Sequence, residues 1–241
     1  MSLLTVSVEG VSKHFGKQKV LDKINLKVYS GEIFGLLGPS GAGKTTLVKI
    51  IAGIDTASCG KTQVLNVAMP NLENLKKVGY MAQSDALYSE LTAYENLDFF
   101  ATIYGLKGTK KKEKIFEVMK LVNLVKDITK PVNQFSGGMK RRLSLAVSLL
   151  HNPDVLILDE PTVGIDPVLR QAIWEELRRI SESGTTIIVT THVMDEAERC
   201  DRLALLRDGT VIATGTTSEL KKETNSETIE EVFLVLGGSK Q

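Results

Sequence analysis

Apolar and polar side chains alternate from Leu4 through Val8 in the run LLTVSV that starts at Leu3, the period-2 pattern of a half-buried strand. Two further β-rich runs follow, INLKV from Ile24 and IFGLL from Ile33, with GKQK and YSGE as turn-forming punctuation between them. The opening of the chain is therefore strand-rich. From about residue 91 to residue 150 the spacing changes: LDFFATIYG, KIFEVMKLVNLV and MKRRLSLAVSLL carry apolar residues three and four apart, which predicts a helical lobe. Continuous apolar runs then return as VLILD, TIIVTT and RLALL. The stretch 167–180 between the first two reads as a helix that ends near Gly184. Strand, helix and strand in that order imply parallel pairing and a sheet covered on both faces, an α/β architecture.

The length of 241 residues fits one large domain, and 42% apolar with 24% charged residues excludes a disordered or fibrous chain. Thirty Lys and Arg against 29 Asp and Glu leave a net charge of +1, so no global basic field points to nucleic acid. Cys59 and Cys200 stand far apart with no CxxC spacing, which predicts reduced, buried or incidental thiols. The first ten residues lack the basic n-region of a signal peptide. The longest apolar runs fall far short of the ~20 residues that cross a bilayer; a partner would supply any span. One charge run, KGTKKKEK at 107–114, is expected to form a solvated loop between two helices, with contact to anionic lipid headgroups as the other reading. There is no internal repeat.

The string GPSGAGKTT, residues 38–46, matches GxxxxGK[ST] at Gly38, Gly43, Lys44 and Thr45. IFGLL before it is a strand and LVKIIAG after it is helical, so the loop lies where a helix N-terminus opens. Glycines let successive backbone N–H groups converge on phosphate oxygens. In such a loop Lys44 would bridge the β- and γ-phosphates and the Thr45 hydroxyl would ligate Mg²⁺. Further on, VLILDE at 155–160 delivers Asp159 and Glu160 to the carboxyl end of a buried strand, where parallel sheets bind ligands. Asp159 is the expected Mg²⁺ partner and Glu160 the expected general base for an attacking water.

Between and beyond these strings lie FSGGMKRR at 135–142, GIDP at 164–167 and TTHVMDEAE at 190–198. With GPSGAGKTT and VLILDEPT, their order resembles the ATP-binding subunits of ABC transporters over nearly the whole chain. The resemblance implies a P-loop NTPase (RecA-like) core with a mostly parallel sheet, an N-terminal antiparallel β subdomain and an inserted helical subdomain at about 84–152. It also implies a single ABC domain over 1–241 with a short helical tail at about 217–237. It assigns Ser136, Gly137 and Gly138 to the signature motif, Gln83 to the Q-loop, Asp166 to the D-loop, His192 to the switch histidine and Phe15 to the aromatic A-loop. The nucleotide, ATP with Mg²⁺, is then held by Gly38, Pro39, Ser40, Gly41, Ala42, Gly43, Lys44, Thr45 and Thr46, with Thr45, Gln83 and Asp159 on the metal. The pattern departs at Met139, where the family commonly has Gln, and at Phe135, where Leu is usual.

The implied machine is an ATPase whose two subunits, identical or paired, sandwich ATP between the loop of one and the signature of the other. It would power a separate integral membrane subunit from the cytoplasmic face of the cell membrane. Nucleic acid is not expected as a partner. FSGGMKRR, DEPTVGIDP and the short tail IEEVFLVL look like the bacterial exporter branch for drugs, ions or polysaccharides. The alternative is a soluble ABC ATPase acting on DNA or ribosomes. Against it, the stretch from Lys44 to Ser136 shows no sustained heptads, and each motif occurs once.

Read as residues alone, three features keep two readings each. Ser136-Gly137-Gly138 is an anion site at a helix N-terminus or an ordinary N-cap turn. Phe15 stacks on adenine or packs as a plain aromatic. The aromatic run LYSELTAYENLDFF at 87–100 forms a groove for a partner's helix or packs into the core. His14 and His151 are read as incidental.

Overall fold

A computed structural model describes residues 3–84 and 86–238. Its strands are β1 (Leu4–Phe15), β2 (Gln18–Tyr29), β3 (Ile33–Leu37), β4 (Cys59–Val64), β5 (Val67–Ala68), β6 (Val78–Met81), β7 (Val155–Asp159), β8 (Thr186–Thr191), β9 (Arg202–Arg207) and β10 (Thr210–Gly215). The α-helices are α1 (Lys44–Ile51), α2 (Leu72–Leu75), α3 (Ala93–Ile103), α4 (Gly108–Leu121), α5 (Gly137–Ser148), α6 (Pro167–Glu182), α7 (Met194–Ala197), α8 (Thr217–Thr224) and α9 (Ile229–Gly237).

The strands form two sheets. One is antiparallel, in the order β2-β1-β4-β5; the other has six strands in the order β10-β9-β3-β8-β7-β6. Within the larger sheet β9, β3, β8, β7 and β6 pair in parallel, and β10 closes one edge as an antiparallel hairpin with β9. Alternation along its buried strands divides the interior into two cores. Phe34, Leu36, Val155, Ile157 and Ile188 pack with α1 and the antiparallel sheet. Ile33, Leu37, Leu156, Leu158, Ile187 and Val189 pack with the helices of the opposite face. Both faces are covered, so the strands read as continuous apolar runs. The parallel arrangement also sends the ends of β3, β7 and β8 to one edge, and the site is built there.

Helices α3, α4 and α5 share the second core through Leu97, Ala101, Ile115, Val118, Met119, Leu143 and Ala146. Helix α3 starts on a capping box: the Glu95 N–H donates to the Thr92 hydroxyl, and the Thr92 N–H donates to the Glu95 carboxylate. Asn96, fully buried, holds the approach to this helix by accepting from the Tyr88 N–H at 2.8 Å and donating to the Tyr88 and Thr92 carbonyls.

The charge run at 107–114 is not a loop. Residues 108–114 are the first turns of α4. Lysine is a good helix former, and Ile115, Val118, Met119 and Val122 pull the following turns into the core. The run itself ties two helices together, since Lys111 pairs with Asp98 of α3 at 2.5 Å and donates to Thr102. The sequence hid these first turns, although not the rest of the helix, because they carry no apolar stripe.

Candidate functional site

The loop 38–46 joins β3 to α1. Gly43 is the helix N-cap at φ 97°, a left-handed backbone that a side chain would strain. The helix start has no side-chain cap and no acidic residue in its first turn. Its N–H groups and positive dipole end are thus left for an anion. Lys44 is buried at the first helical position, and its ammonium donates to the Gly38 carbonyl at 2.8 Å and the Pro39 carbonyl at 3.0 Å. Burial holds that ammonium below the usual lysine range, opposed by the charges of Glu160 and Asp159.

A cleft of about 310 Å³ opens over this loop, lined by Ser40, Gly41, Gly43, Lys44, Thr45 and Thr46. Gln18 and Val20 of β2 complete its wall, and Gln83 and Glu160 close it. Gly38, Pro39 and Ala42 shape the loop without lining the cleft. Phe15 ends β1 about half-exposed and is likewise not among the lining residues, although its strand partner Gln18 is. The Lys13 ammonium sits 4.9 Å from the Phe15 ring centre and is itself fixed by Asp55 at 2.6 Å.

Glu160 is the centre of the side-chain cluster. One carboxylate oxygen lies 3.1 Å from His192 Nδ1 and 3.9 Å from Lys44 Nζ; the other accepts from Gln83 Nε2 at 3.2 Å. These four sequence-predicted residues meet within one chain. Glu160 has φ 52°, a left-handed conformation uncommon outside glycine, and its N–H is held by the Thr190 hydroxyl at 3.0 Å. The same hydroxyl donates to Asp159 Oδ1.

Asp159 is fully buried, and its Oδ2 has no hydrogen-bond partner among the described residues. A buried, unpaired carboxylate oxygen is costly unless a cation or donor completes it. Its neighbour Tyr80 shows the same charge, since burial first and Asp159 second push its phenol up to about 12. The described residues contain no cluster of three or more His, Cys, Asp or Glu able to hold a metal. One buried carboxylate with hydroxyl and amide oxygens nearby instead suits a hard ion that keeps waters and phosphate oxygens in its shell.

A second cleft, about 650 Å³, lies beyond Gln83 and Glu160, which line both. Its far wall is Ser136, Gly137 and Gly138 at the N-terminus of α5, faced by residues 163–166. Ser136 is the N-cap of α5 and its hydroxyl accepts from the Met139 N–H at 3.3 Å. A side chain on Gly138 would press on the Gly164 carbonyl at 3.0 Å, so only a small residue lets this turn approach. Asp166 caps α6 by accepting from the Leu169 N–H at 3.0 Å, with Pro167 in the first turn. No residue of 38–46 lines this cleft and none of 136–138 lines the first.

Sequence reasoning missed three supports. Glu196 is buried and accepts from the Thr191 hydroxyl at 2.6 Å and from the Thr162 hydroxyl, joining the turn after Glu160 to the end of the strand that precedes His192. Thr190 orients both carboxylate residues. Arg141 bonds to the main chain at residues 82, 83, 159 and 160. A charged or hydroxyl residue within or next to a known motif is the only local signal for any of them.

On the lobe, the aromatic run at 87–100 divides between the two readings. Leu97 is core, whereas Tyr88 and Phe99 are exposed and stack edge-on at 4.9 Å, with Phe100 at 5.3 Å from Phe99.

A family model described as ABC transporter matches residues 21–163. The chain is 40% identical over 238 residues to the probable multidrug ABC transporter ATP-binding protein YbhF of Escherichia coli, covering 96% of this chain but 41% of that protein. It is 41% identical over 244 residues to the Nod factor export ATP-binding protein I of Rhizobium sp., covering 100% of this chain and 79% of that protein. A solved ATP-binding subunit of an ABC transporter superposes with a TM-score of 0.89 at 27% identity, covering 97% of this chain and 99% of the other. The ATP-binding cassette MJ0796, solved as a post-hydrolysis dimer bound to ADP and Pi, gives 0.81 at 28% identity over 88% of this chain and 98% of its own.

Proposed function

The chain belongs to the ABC transporter family, and we propose that it binds and hydrolyses ATP to power transport through a separate membrane subunit. The carrying observation is the convergence of Glu160, Gln83, His192 and Lys44 at the mouth of the loop 38–46. The loop N–H groups and the start of α1 hold the phosphates, and Lys44 turns from the Gly38 and Pro39 carbonyls to the β- and γ-phosphate oxygens. Glu160 takes a proton from the water whose oxygen attacks the γ-phosphorus; the bond to the ADP oxygen breaks and phosphate leaves. His192 and Gln83, each bonded to one Glu160 oxygen, hold that carboxylate toward the water. Thr45, Asp159 and Gln83 would hold Mg²⁺, whose positive charge would offset the negative charge of the phosphates. Phe15 would stack on the adenine from the end of β1.

The second cleft takes the nucleotide bound to another copy or to a paired ATPase subunit, with Ser136 and the N–H groups of Gly137 and Gly138 on its γ-phosphate and Asp166 in the facing turn. The dimer of MJ0796 with ADP and Pi supports this arrangement. No helix among the described residues is long and apolar enough to cross a membrane. The transport step is assigned to a membrane partner docked on the exposed aromatics Tyr88 and Phe99 at the inner face of the membrane. The multidrug and Nod factor export names of the relatives support export, and favour this reading over an ATPase acting on DNA or ribosomes.

Glu160→Gln tests the assignment. It should leave MgATP binding intact, lower turnover by about 10²–10⁴-fold, and accumulate an ATP-bound dimer in light scattering. Hydrolysis at the parental rate would exclude Glu160 as the base.

A further inference from the structure

Arg141 lies one turn into α5, buried at 6% exposure, and its guanidinium donates to main-chain carbonyls. Nη1 donates to Ala82 at 2.6 Å and Gln83 at 2.8 Å. Nη2 donates to Glu160 at 2.7 Å and to Asp159, and Nε donates to Glu160 at 3.2 Å. These carbonyls stand at the ends of two neighbouring strands. β6 and β7 pair in parallel up to Met81 opposite Leu158, and one residue later the ladder stops. The guanidinium bridges the two chains where strand-to-strand bonding has ended. Its planar fork supplies five donors at fixed angles, which a lysine cannot reproduce.

What is held there is the chemistry. Gln83 and Glu160 carry the side chains that meet at 3.2 Å, and Glu160 has the left-handed backbone that its surroundings must maintain. Thr190 holds the N–H side of that residue and Arg141 its carbonyl side. The helix that bears Arg141 begins at Ser136–Gly138 on the wall of the second cleft. The neighbouring Arg142 does something else, donating to the Val122 and Asn123 carbonyls at 3.1 Å and so tying α5 to the end of α4.

We propose that Arg141 is a positioning residue that couples the seating of the α5 N-terminus in the second cleft to the placement of Gln83 and Glu160 in the first. This rests on the ATPase reading above. Occupation of the second cleft shifts α5, and the guanidinium carries the shift to the carboxylate without touching nucleotide itself.

The test uses the full chain with Arg141→Met, Arg141→Gly and Arg141→Lys. Arg141→Met should lower kcat by about 10–100-fold, the scale of a small misplacement of a reacting group, while KM for ATP and affinity for a fluorescent ATP analogue stay within about threefold, the split expected when only the transition state is affected. Arg141→Lys should fall between this variant and the parent, and added guanidinium should restore part of the rate of Arg141→Gly. Parental kcat in Arg141→Met, or equal losses in kcat and affinity with no response to guanidinium, would overturn the proposal. If the Met and Gly variants do not fold, Arg141→Lys decides alone: parental kcat refutes it, and lowered kcat at constant KM supports it. Hydrogen exchange at the Glu160 amide separates the two readings. A parent that does not hydrolyse ATP faults the ATPase assignment; unchanged exchange at that amide in Arg141→Lys then refutes the positioning role, and faster exchange supports it.

Discussion

The two clefts share a partition and differ in what fills their walls. The first is lined by a buried ammonium on Lys44 and a carboxylate on Glu160 that two neighbours hold, with the buried Asp159 and its idle oxygen next along the chain. The second offers a helix start whose capping serine is bonded to its own helix, with Arg141 and Arg142 turned to main-chain carbonyls. A site that holds opposing charges in place is ready to bind a ligand on arrival. A site whose serine, arginines and Asp166 are bonded to their own main chain, beside the small residues of a helix start, waits for something brought to it. That asymmetry is what an enzyme needs if binding is to occur in one copy and turnover only when another closes over it.

The sharpest way to break the comparison is to remove the buried charge from the first cleft alone. Lys44→Ala should weaken nucleotide affinity by about two decades, the scale of ~3 kcal/mol for a buried charge-assisted contact. Titration with a fluorescent nucleotide would read it, and parental affinity would mean that the loop binds phosphate through its backbone only. Because Lys44 is bonded within its own loop, folding should change far less than binding.

The second cleft is broken by a charge that its ligand cannot tolerate. Ser136→Arg should spare nucleotide binding to the monomer and abolish the ATP-induced dimer. It also removes an N-cap, which costs about 0.5–2 kcal/mol on its own. Ser136→Asp keeps the cap and places a carboxylate where phosphate is expected, so it should block the dimer with little loss of stability. The readout is light scattering in the Glu160→Gln background. An undisturbed dimer in both variants would remove the signature turn from the interface.

These two regions were also unequal in how far residues alone could define them. The first cleft is written in consecutive letters, since the loop 38–46 supplies its own glycines, lysine and threonines, and 155–160 ends in its two carboxylates. The parallel pairing of the core strands follows from the same apolar runs. The partition is not written locally. Arg141 reaches carbonyls 58 and 59 residues before it, and Thr162 meets Glu196 across 34 residues. Side-chain bonds to distant main chain leave no periodicity behind. The helix at 108–114 was hidden for a related reason, because its contact with Asp98 is ionic and its apolar face begins only at Ile115. Strands β4 and β10 also stayed unread, being largely polar or half-exposed.

His151, read from sequence as incidental, instead joins the lobe to the core. Its ring stacks on Tyr104 at 3.9 Å and 16°, where the chain leaving α5 passes the end of α3. Burial first, and then the charge of Lys114, hold its imidazole below the ordinary 6.5; burial also raises the Tyr104 phenol above its usual range. The folded protein thus binds fewer protons here than the unfolded chain once the pH drops below about 6.5. The stabilisation is complete above that value and is lost as the pH falls through the depressed one. His151→Gln should therefore melt lower than the parent at pH 8, through the lost stack, yet lose less on going from pH 7 to pH 5. The gap is small but readable, since about 1 kcal/mol moves Tm by roughly 2–4 °C in a chain of this size. Equal acid sensitivity in parent and variant would show that protonation of this ring does not govern the joint.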